Sequence, residues 1–168
     1  MSLVTHDAAL HLLRTAMLGR DAQNADSIHF RDGQWEAIAH IVNQRGKVLC
    51  VQRTGWGKSM VYFVAAKLMR AQGAGVTLII SPLLALMRNQ IEAAERLGLR
   101  ALRIDSTNKT AWAQARAQLL ANQVDLLLIS SERLANDQFV SQTLQPIAAR
   151  IGLLVVDEGH EYKNEGSA

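Results

Sequence analysis

Two stretches of this chain carry side chains whose types and spacing suit phosphate chemistry. The first, Gln52-Arg53-Thr54-Gly55-Trp56-Gly57-Lys58-Ser59, lies directly after the apolar run Val48-Leu49-Cys50-Val51 and directly before a helical pattern. A strand that feeds a glycine turn, followed by a helix, aims backbone N–H groups and the helix's positive end at one spot, as a phosphate-binding loop requires. In such a loop Lys58 reaches the β- and γ-phosphates of a nucleotide and the Ser59 hydroxyl binds a magnesium ion. The pattern G-x-x-x-x-G-K-[ST] is met in its second half only, because Gln52 stands where the first glycine belongs. The bland alternative is a glycine turn whose lysine faces solvent.

The second stretch, Asp157-Glu158, ends the apolar run Leu153-Leu154-Val155-Val156. A carboxylate at that point suits a hydrated magnesium ion, since hard cations take oxygen ligands and keep several waters. Glu158 is then the candidate to orient or deprotonate an attacking water. Alone, the pair could be a solvated strand end or a helix cap. Beside Lys58 and Ser59 it completes a nucleotide site, with ATP and Mg2+ as the expected cofactors.

These motifs need elements to bring them together. Apolar runs at Lys47–Val51, Val76–Ser81, Ala101–Ile104, Leu126–Ser130 and Gly152–Val156 predict strands buried on both faces. Helical patterns lie between them at about Lys58–Ala71, Leu83–Leu97, Thr110–Asn122 and Glu132–Leu144, the last open to a break in two. The alternation predicts an α/β fold: an open, mostly parallel sheet with helices on both faces and right-handed crossovers. Ligands of such sheets bind outside the carboxyl ends of the strands, where both motifs fall. Helical segments at about Thr5–Leu18 and Gly33–Gln44 precede the first strand and are expected to pack at the sheet edge near the nucleotide.

The 168 residues suffice for one domain with a full core. Hydrophobic residues at 49% and charged residues at 20% exclude a fibre or a disordered chain. The net charge of +3, without a basic run, suits a phosphate-bearing partner but does not identify one. The single cysteine, Cys50, excludes an internal disulfide and reads as a buried, inert thiol. None of His6, His11, His29, His40 and His160 forms a metal-ligand spacing with it. No apolar stretch has bilayer length and the N-terminus lacks a signal-peptide layout, so a soluble cytoplasmic chain with no membrane partner is expected.

Five segments occur together: Phe30-Arg31-Asp32-Gly33-Gln34, Thr54 to Ser59, Ser81-Pro82-Leu83-Leu84-Ala85-Leu86-Met87-Arg88-Asn89-Gln90, Ser131-Glu132-Arg133-Leu134 and Asp157-Glu158-Gly159-His160. In order and spacing they resemble the RecQ family of superfamily 2 DNA helicases, over residues from about 27 to 160. The resemblance implies a three-layer P-loop NTPase (RecA-like) domain. Within this single structural domain, residues 1–45 would supply N-terminal helices with an adenine-recognition motif and residues 46–160 the ATP-binding helicase lobe. Residues 161–168 read as a polar tail, truncated or left over from expression. The implied activity is an ATP-dependent DNA helicase of repair and recombination, acting in a bacterial cytoplasm or nucleoid on DNA with a single-stranded tail.

Residue by residue, the resemblance implies that Arg31 and Gln34 contact the adenine, with Thr54, Gly55, Trp56, Gly57, Lys58 and Ser59 around the nucleotide. Ser59 and Asp157 would share the magnesium largely through water, and Lys58, Asp157 and Glu158 would carry catalysis. Arg31 and Gln34 could instead cap the Gly33–Gln44 helix. Ser81, Pro82, Arg88, Gln90, Ser106, Thr107, Ser130 and Arg133 match positions that touch the DNA backbone. In the Ser81–Gln90 segment, the first helical N–H groups and Ser81 itself are expected to hold a DNA phosphate. The same segment could be a capped crossover helix, with Leu83, Leu86 and Met87 in the core. His160 matches a histidine that couples the acidic motif to a second lobe, although an ordinary surface position would also suit it.

The chain departs from the family pattern in places. Ser27 stands where an adenine-stacking aromatic is usual, Ser131 where proline is usual and Gly159 where alanine is usual. Glu161-Tyr162-Lys163-Asn164 does not resemble the family's aromatic-rich loop. Trp56 replaces a small residue, so that its indole is expected either to cover the nucleotide or to close the empty site. The motifs are those of the first of two RecA-like lobes. An arginine from the second lobe is worth about 10³–10⁵ in rate in related phosphoryl-transfer systems. Weak nucleotide binding and poor turnover are therefore expected of the 168 residues alone. A P-loop kinase would need an arginine-rich lid and an acceptor pocket. A duplex-DNA translocase, an RNA helicase or a non-catalytic binding module would share the motifs. Polarity, preferred DNA structure and oligomeric state are left open.

Overall fold

In α1 (His6–Leu18), Ala9, Leu10, Leu13 and Ala16 recur at helical spacing and are buried together, and Thr5 Oγ1 accepts the Ala8 N–H at the helix start. The computed structural model describes residues 2–18, 22–82, 84, 87–104 and 109–157. A short 3-10 stretch, Ala22–Ser27, leads to α2 (Gln34–Gln44), which buries Gln34, Ala37, Ile38 and Val42. α3 (Lys58–Ala71) buries every residue from Val61 to Ala66 and also Met69, because it lies between the sheet and α1 and α2. β1 (Val76–Ile80), α4 (Arg88–Arg96), β2 (Ala101–Ile104), α5 (Lys109–Leu120) and β3 (Leu126–Ile129) follow in alternation.

After β3 come α6 (Ser131–Leu134) and α7 (Asp137–Phe139), so the expected break in the fourth helical pattern falls at Ala135 and Asn136. The Asn136 side chain accepts the Phe139 N–H at 2.9 Å and starts the second piece. A π turn, Val140–Leu144, then joins α7 to α8 (Gln145–Ile147), and the Gln145 N–H reaches back five residues to the Val140 carbonyl. Pro146 is the cause, since it has no N–H and its ring crowds the preceding turn. A 3-10 turn at Ala148–Arg150 leads into β4 (Ile151–Val156).

The four strands form a parallel sheet in the order β2-β3-β1-β4. All of β3, Leu126 to Ile129, is fully buried, because helices cover both faces of the sheet. On one face Ile79, Leu126 and Leu128 pack against Phe63 of α3 and Ala93 and Ala94 of α4, with Ala16 of α1. On the other, Val76, Leu78, Ile80, Leu127 and Ile129 pack against Trp112, Ala115 and Leu119 of α5 and Phe139, Leu144 and Ile147 behind it. This is the three-layer α/β arrangement expected. Among the described residues no helix is long and apolar enough to cross a membrane.

Two expectations need correction. Lys47–Val51 forms no strand, and Leu49 and Val51 are 90% and 81% exposed. A strand exists only through its neighbour, and among the described residues none pairs with this segment. Nor is β4 buried on both faces. It is an edge strand whose Leu153 and Val155 join the core while Leu154 and Val156 stay mostly exposed, and at the other edge β2 leaves Arg103 exposed.

Candidate nucleotide site

Parallel register brings the chemistry to one edge. Ile80 lies opposite both Ile129 and Val156, so the residues that follow, Ser81, Ser130 and Asp157, leave neighbouring strands at the same level. The Ser81 N–H donates to Ile129 O at 3.0 Å and the Asp157 N–H to Ile80 O at 2.8 Å, which carries the sheet one residue further.

Beside these ends, the loop from Gln52 turns through Gly55 (φ 81°) and Gly57 (φ 94°) and enters α3 at Lys58. A Cβ on Gly57 would come within 2.6 Å of Gln34 Nε2, so glycine is required there both for the left-handed backbone and for space. The first turn of α3 has no acidic residue and no side-chain cap, leaving its positive end to an anion. Lys58 and Ser59 occupy that turn and are half-buried. Cys50, expected to be buried, is half-buried; burial raises its thiol pKa, with Lys58 pulling the other way.

Arg31 and Gln34, expected at the adenine, hold the loop itself. Gln34 is 4% exposed; its Nε2 donates to Trp56 O at 3.0 Å and Gly57 O at 3.3 Å, and its Oε1 accepts the Arg31 N–H at 2.9 Å. Arg31 Nη1 donates to Gly55 O. Neither side chain caps the N-terminus of α2. The Trp56 indole takes a third course between the two expected of it. It is 8% exposed and belongs to the core formed by α1, α2 and α3, against Gly33, while its backbone stays in the loop. Thr54 is exposed in the turn.

Asp157 is half-buried, and its Oδ2 accepts the Tyr62 hydroxyl at 2.8 Å. Tyr62 stands one turn after Lys58 on the same face of α3, so this bond brings the carboxylate to the helix that starts at the loop. Burial, and then the neighbouring Asp157 charge, pushes the Tyr62 phenol far above its ordinary range, and it stays a donor. Asp157 Oδ1 receives no hydrogen bond from the described residues. Among those residues no three of His, Cys, Asp and Glu gather to strip a metal of its water. One free carboxylate oxygen and the Ser59 hydroxyl instead suit a hydrated magnesium ion arriving with a nucleotide. Glu158 and His160 lie outside the described residues.

The residues expected at DNA are less uniform. Ser81 is 2% exposed and its N–H is spent in the sheet, while Pro82 has none, so neither of these two residues offers an N–H to a phosphate. α4 begins at Arg88, and Leu84 lies in a 3-10 turn before it, while Leu83, Ala85 and Leu86 lie outside the described residues. Arg88 and Gln90 are exposed on its first turn, Arg88 with its Nε 3.6 Å from Glu92. Ser130 precedes α6 without capping it through its side chain, and the Arg133 guanidinium lies 6.0 Å from the Trp112 ring centre. Ser106 and Thr107 lie outside the described residues.

Sequence reasoning missed Tyr62, although a hydroxylated ring four residues after the loop lysine was a visible sign. It also missed Asp125, at the opposite end of the sheet. This residue is 7% exposed and takes hydrogen bonds from Arg70 Nε at 2.8 Å and from Arg100 N, Nε and Nη2 at 2.8, 2.9 and 3.0 Å. Burial alone would raise its pKa, but the Arg100 and Arg70 bonds prevail and bring it down to about 2.

Residues 31–168 match the family model for DEAD/DEAH box helicases. The chain is 36% identical over 132 residues to the ATP-dependent DNA helicase RecQ of Bacillus subtilis, covering 78% of this chain and 21% of that protein. It is 35% identical over 133 residues to the RecQ of Synechocystis sp., with 79% and 27% covered. To the ATP-dependent DNA helicase Q-like 5 of Arabidopsis thaliana it is 33% identical over 131 residues, with 78% and 14% covered. The chain thus spans between a seventh and about a quarter of these relatives' length. With a parallel α/β sheet, a glycine loop opening α3 and an aspartate at the adjoining strand end, the chain belongs to the DEAD/DEAH box helicase family, as a RecQ-like first lobe.

Proposed function

We propose that this chain is the ATP-binding lobe of an ATP-dependent DNA helicase, and that it binds magnesium–ATP between the Gln52–Ser59 loop and Asp157. The observation that carries this reading is the 2.8 Å bond from Tyr62, one turn after Lys58 on α3, to Asp157, which ties the strand end to the helix that the loop opens. In this reading the N-terminal turn of α3 and Lys58 receive the β- and γ-phosphates, and Glu158 orients the attacking water. Bound magnesium supplies positive charge that offsets the charge developing on the transferring phosphate. Ser59 and Asp157 hold it largely through water. Residues 46–160 form this lobe, and residues 1–45 dock on it through α1 and α2. Gln34 and Arg31 set the loop's shape, and an adenine contact would draw on the same two side chains.

DNA with a single-stranded tail is the proposed partner in the whole protein, in a bacterial cytoplasm or nucleoid. Its backbone would meet Arg88 and Gln90 on α4 and the Ser130–Arg133 turn. Full turnover calls for arginines from a second lobe, worth about 10³–10⁵ in rate. Titrating a fluorescent ATP analogue with magnesium into wild type and Lys58→Ala tests the reading. The variant should bind at least about tenfold more weakly, equivalent to about 1.4 kcal/mol. Indistinguishable affinities would contradict a working loop.

A further inference from the structure

Asp157 is clamped at its backbone, where its N–H donates to Ile80 O at 2.8 Å, but a backbone clamp leaves the carboxylate free to rotate. Among the described residues the only hydrogen bond to that carboxylate comes from the Tyr62 hydroxyl. The Tyr62 ring cannot follow a moving partner. It is 7% exposed, meets Phe63 edge-on at 4.9 Å between ring centres, and shares its core cluster with Ile79 and with Leu84 and Met87 of the β1–α4 connection. Phenylalanine would satisfy that packing equally well, so the hydroxyl has a use of its own. A carboxylate only accepts hydrogen bonds, so the phenol donates.

We propose that Tyr62 is a positioning residue for the magnesium ligand: its hydroxyl holds Oδ2 of Asp157 and so presents Oδ1 to the ion. The proposal rests on the reading of the loop as a magnesium–nucleotide site. A neutral donor is suited to this task. It fixes the carboxylate's orientation without bringing a cation that would compete with magnesium for its charge. At Asp125, where no ion is needed, two guanidinium groups occupy both oxygens instead.

The test uses Tyr62→Phe, which keeps the ring and removes the bond. A fluorescent ATP analogue is titrated into wild type and variant, once with magnesium and once with EDTA. Affinity in EDTA should stay within about twofold of wild type, while the gain on adding magnesium should shrink roughly three- to tenfold, the worth of one hydrogen bond. In an Asp157→Asn background, Tyr62→Phe should then have no further effect on the magnesium gain. An unchanged magnesium gain in Tyr62→Phe, or equal losses with magnesium and with EDTA, would overturn the positioning role. Wild type binding no better than Lys58→Ala would instead overturn the nucleotide site itself, and this role with it.

Discussion

Two aspartates mark the two ends of the same sheet and are treated in opposite ways. Asp125 sits just before β3 at the amino end, with four hydrogen bonds from Arg70 and Arg100 and a pKa near 2. Asp157 sits just after β4 at the carboxyl end, with one side-chain bond, from a neutral phenol. Each nitrogen of the Arg70 guanidinium is engaged, since it also donates to Ala74 O and Asn122 Oδ1. A carboxylate with every lone pair taken ties elements together and has nothing left for a ligand. One oriented through a single oxygen leaves the other available to a cation. Each flanks a run of four apolar residues, Asp125 before its run and Asp157 after it, and the donors around them complete the difference.

Substitutions can break this contrast, and the largest effect is expected at the amino end. Asp125→Ala should cost about 3 kcal/mol in urea unfolding, because it leaves the poorly exposed Arg70 guanidinium without its charge partner. Asp157→Asn should change stability by less than about 0.5 kcal/mol, as a partly exposed residue with few partners. Acid sharpens the same difference. The Asp125 pKa is lowered in the folded chain, so its contribution is fully present above the unfolded value of about 3.9 and is lost as pH falls toward 2. An unfolding series from pH 5 to pH 2 should lose about 2 kcal/mol through this group in wild type, and that component should be absent in Asp125→Ala.

At the carboxyl end, Gly57→Ala should cost about 1–2 kcal/mol and weaken nucleotide binding, because φ is 94° and the new Cβ would strike Gln34 Nε2. Calorimetry and the ATP-analogue titration would together read both effects. A smaller loss than at Asp125 or Gly57 is expected for Arg100→Ala. Its side chain is 54% exposed, so solvent screens the ion pair and the loss should stay below about 1 kcal/mol.

The convergence at the carboxyl end was legible in the sequence because strand ends are written locally, as apolar runs that stop at Ser81, Ser130 and Asp157. The glycine loop and Lys58 were legible for the same reason. The failure of Lys47–Val51 to form a strand was not, since pairing depends on a neighbour that local composition cannot supply. Trp56 could turn toward a nucleotide or into the core, and its burial follows from how α1, α2 and α3 pack around it. The spacing of Tyr62 after Lys58 was visible, but its partner Asp157 lies 95 residues away along the chain. Asp125 carried no local sign, because its importance comes from Arg70 and Arg100 on other elements. Gln34 was expected at a ligand, whereas its amide is spent on the loop carbonyls, a contact set by how α2 docks.

The central claim is that Asp157, and not Asp125, belongs to a magnesium–nucleotide site at the start of α3. It is tested most directly by measuring how much magnesium strengthens binding of a fluorescent ATP analogue to wild type, Asp157→Asn and Asp125→Asn. The prediction is a magnesium gain of about tenfold or more in wild type and in Asp125→Asn, and its loss in Asp157→Asn. A magnesium gain that survives intact in Asp157→Asn would contradict it.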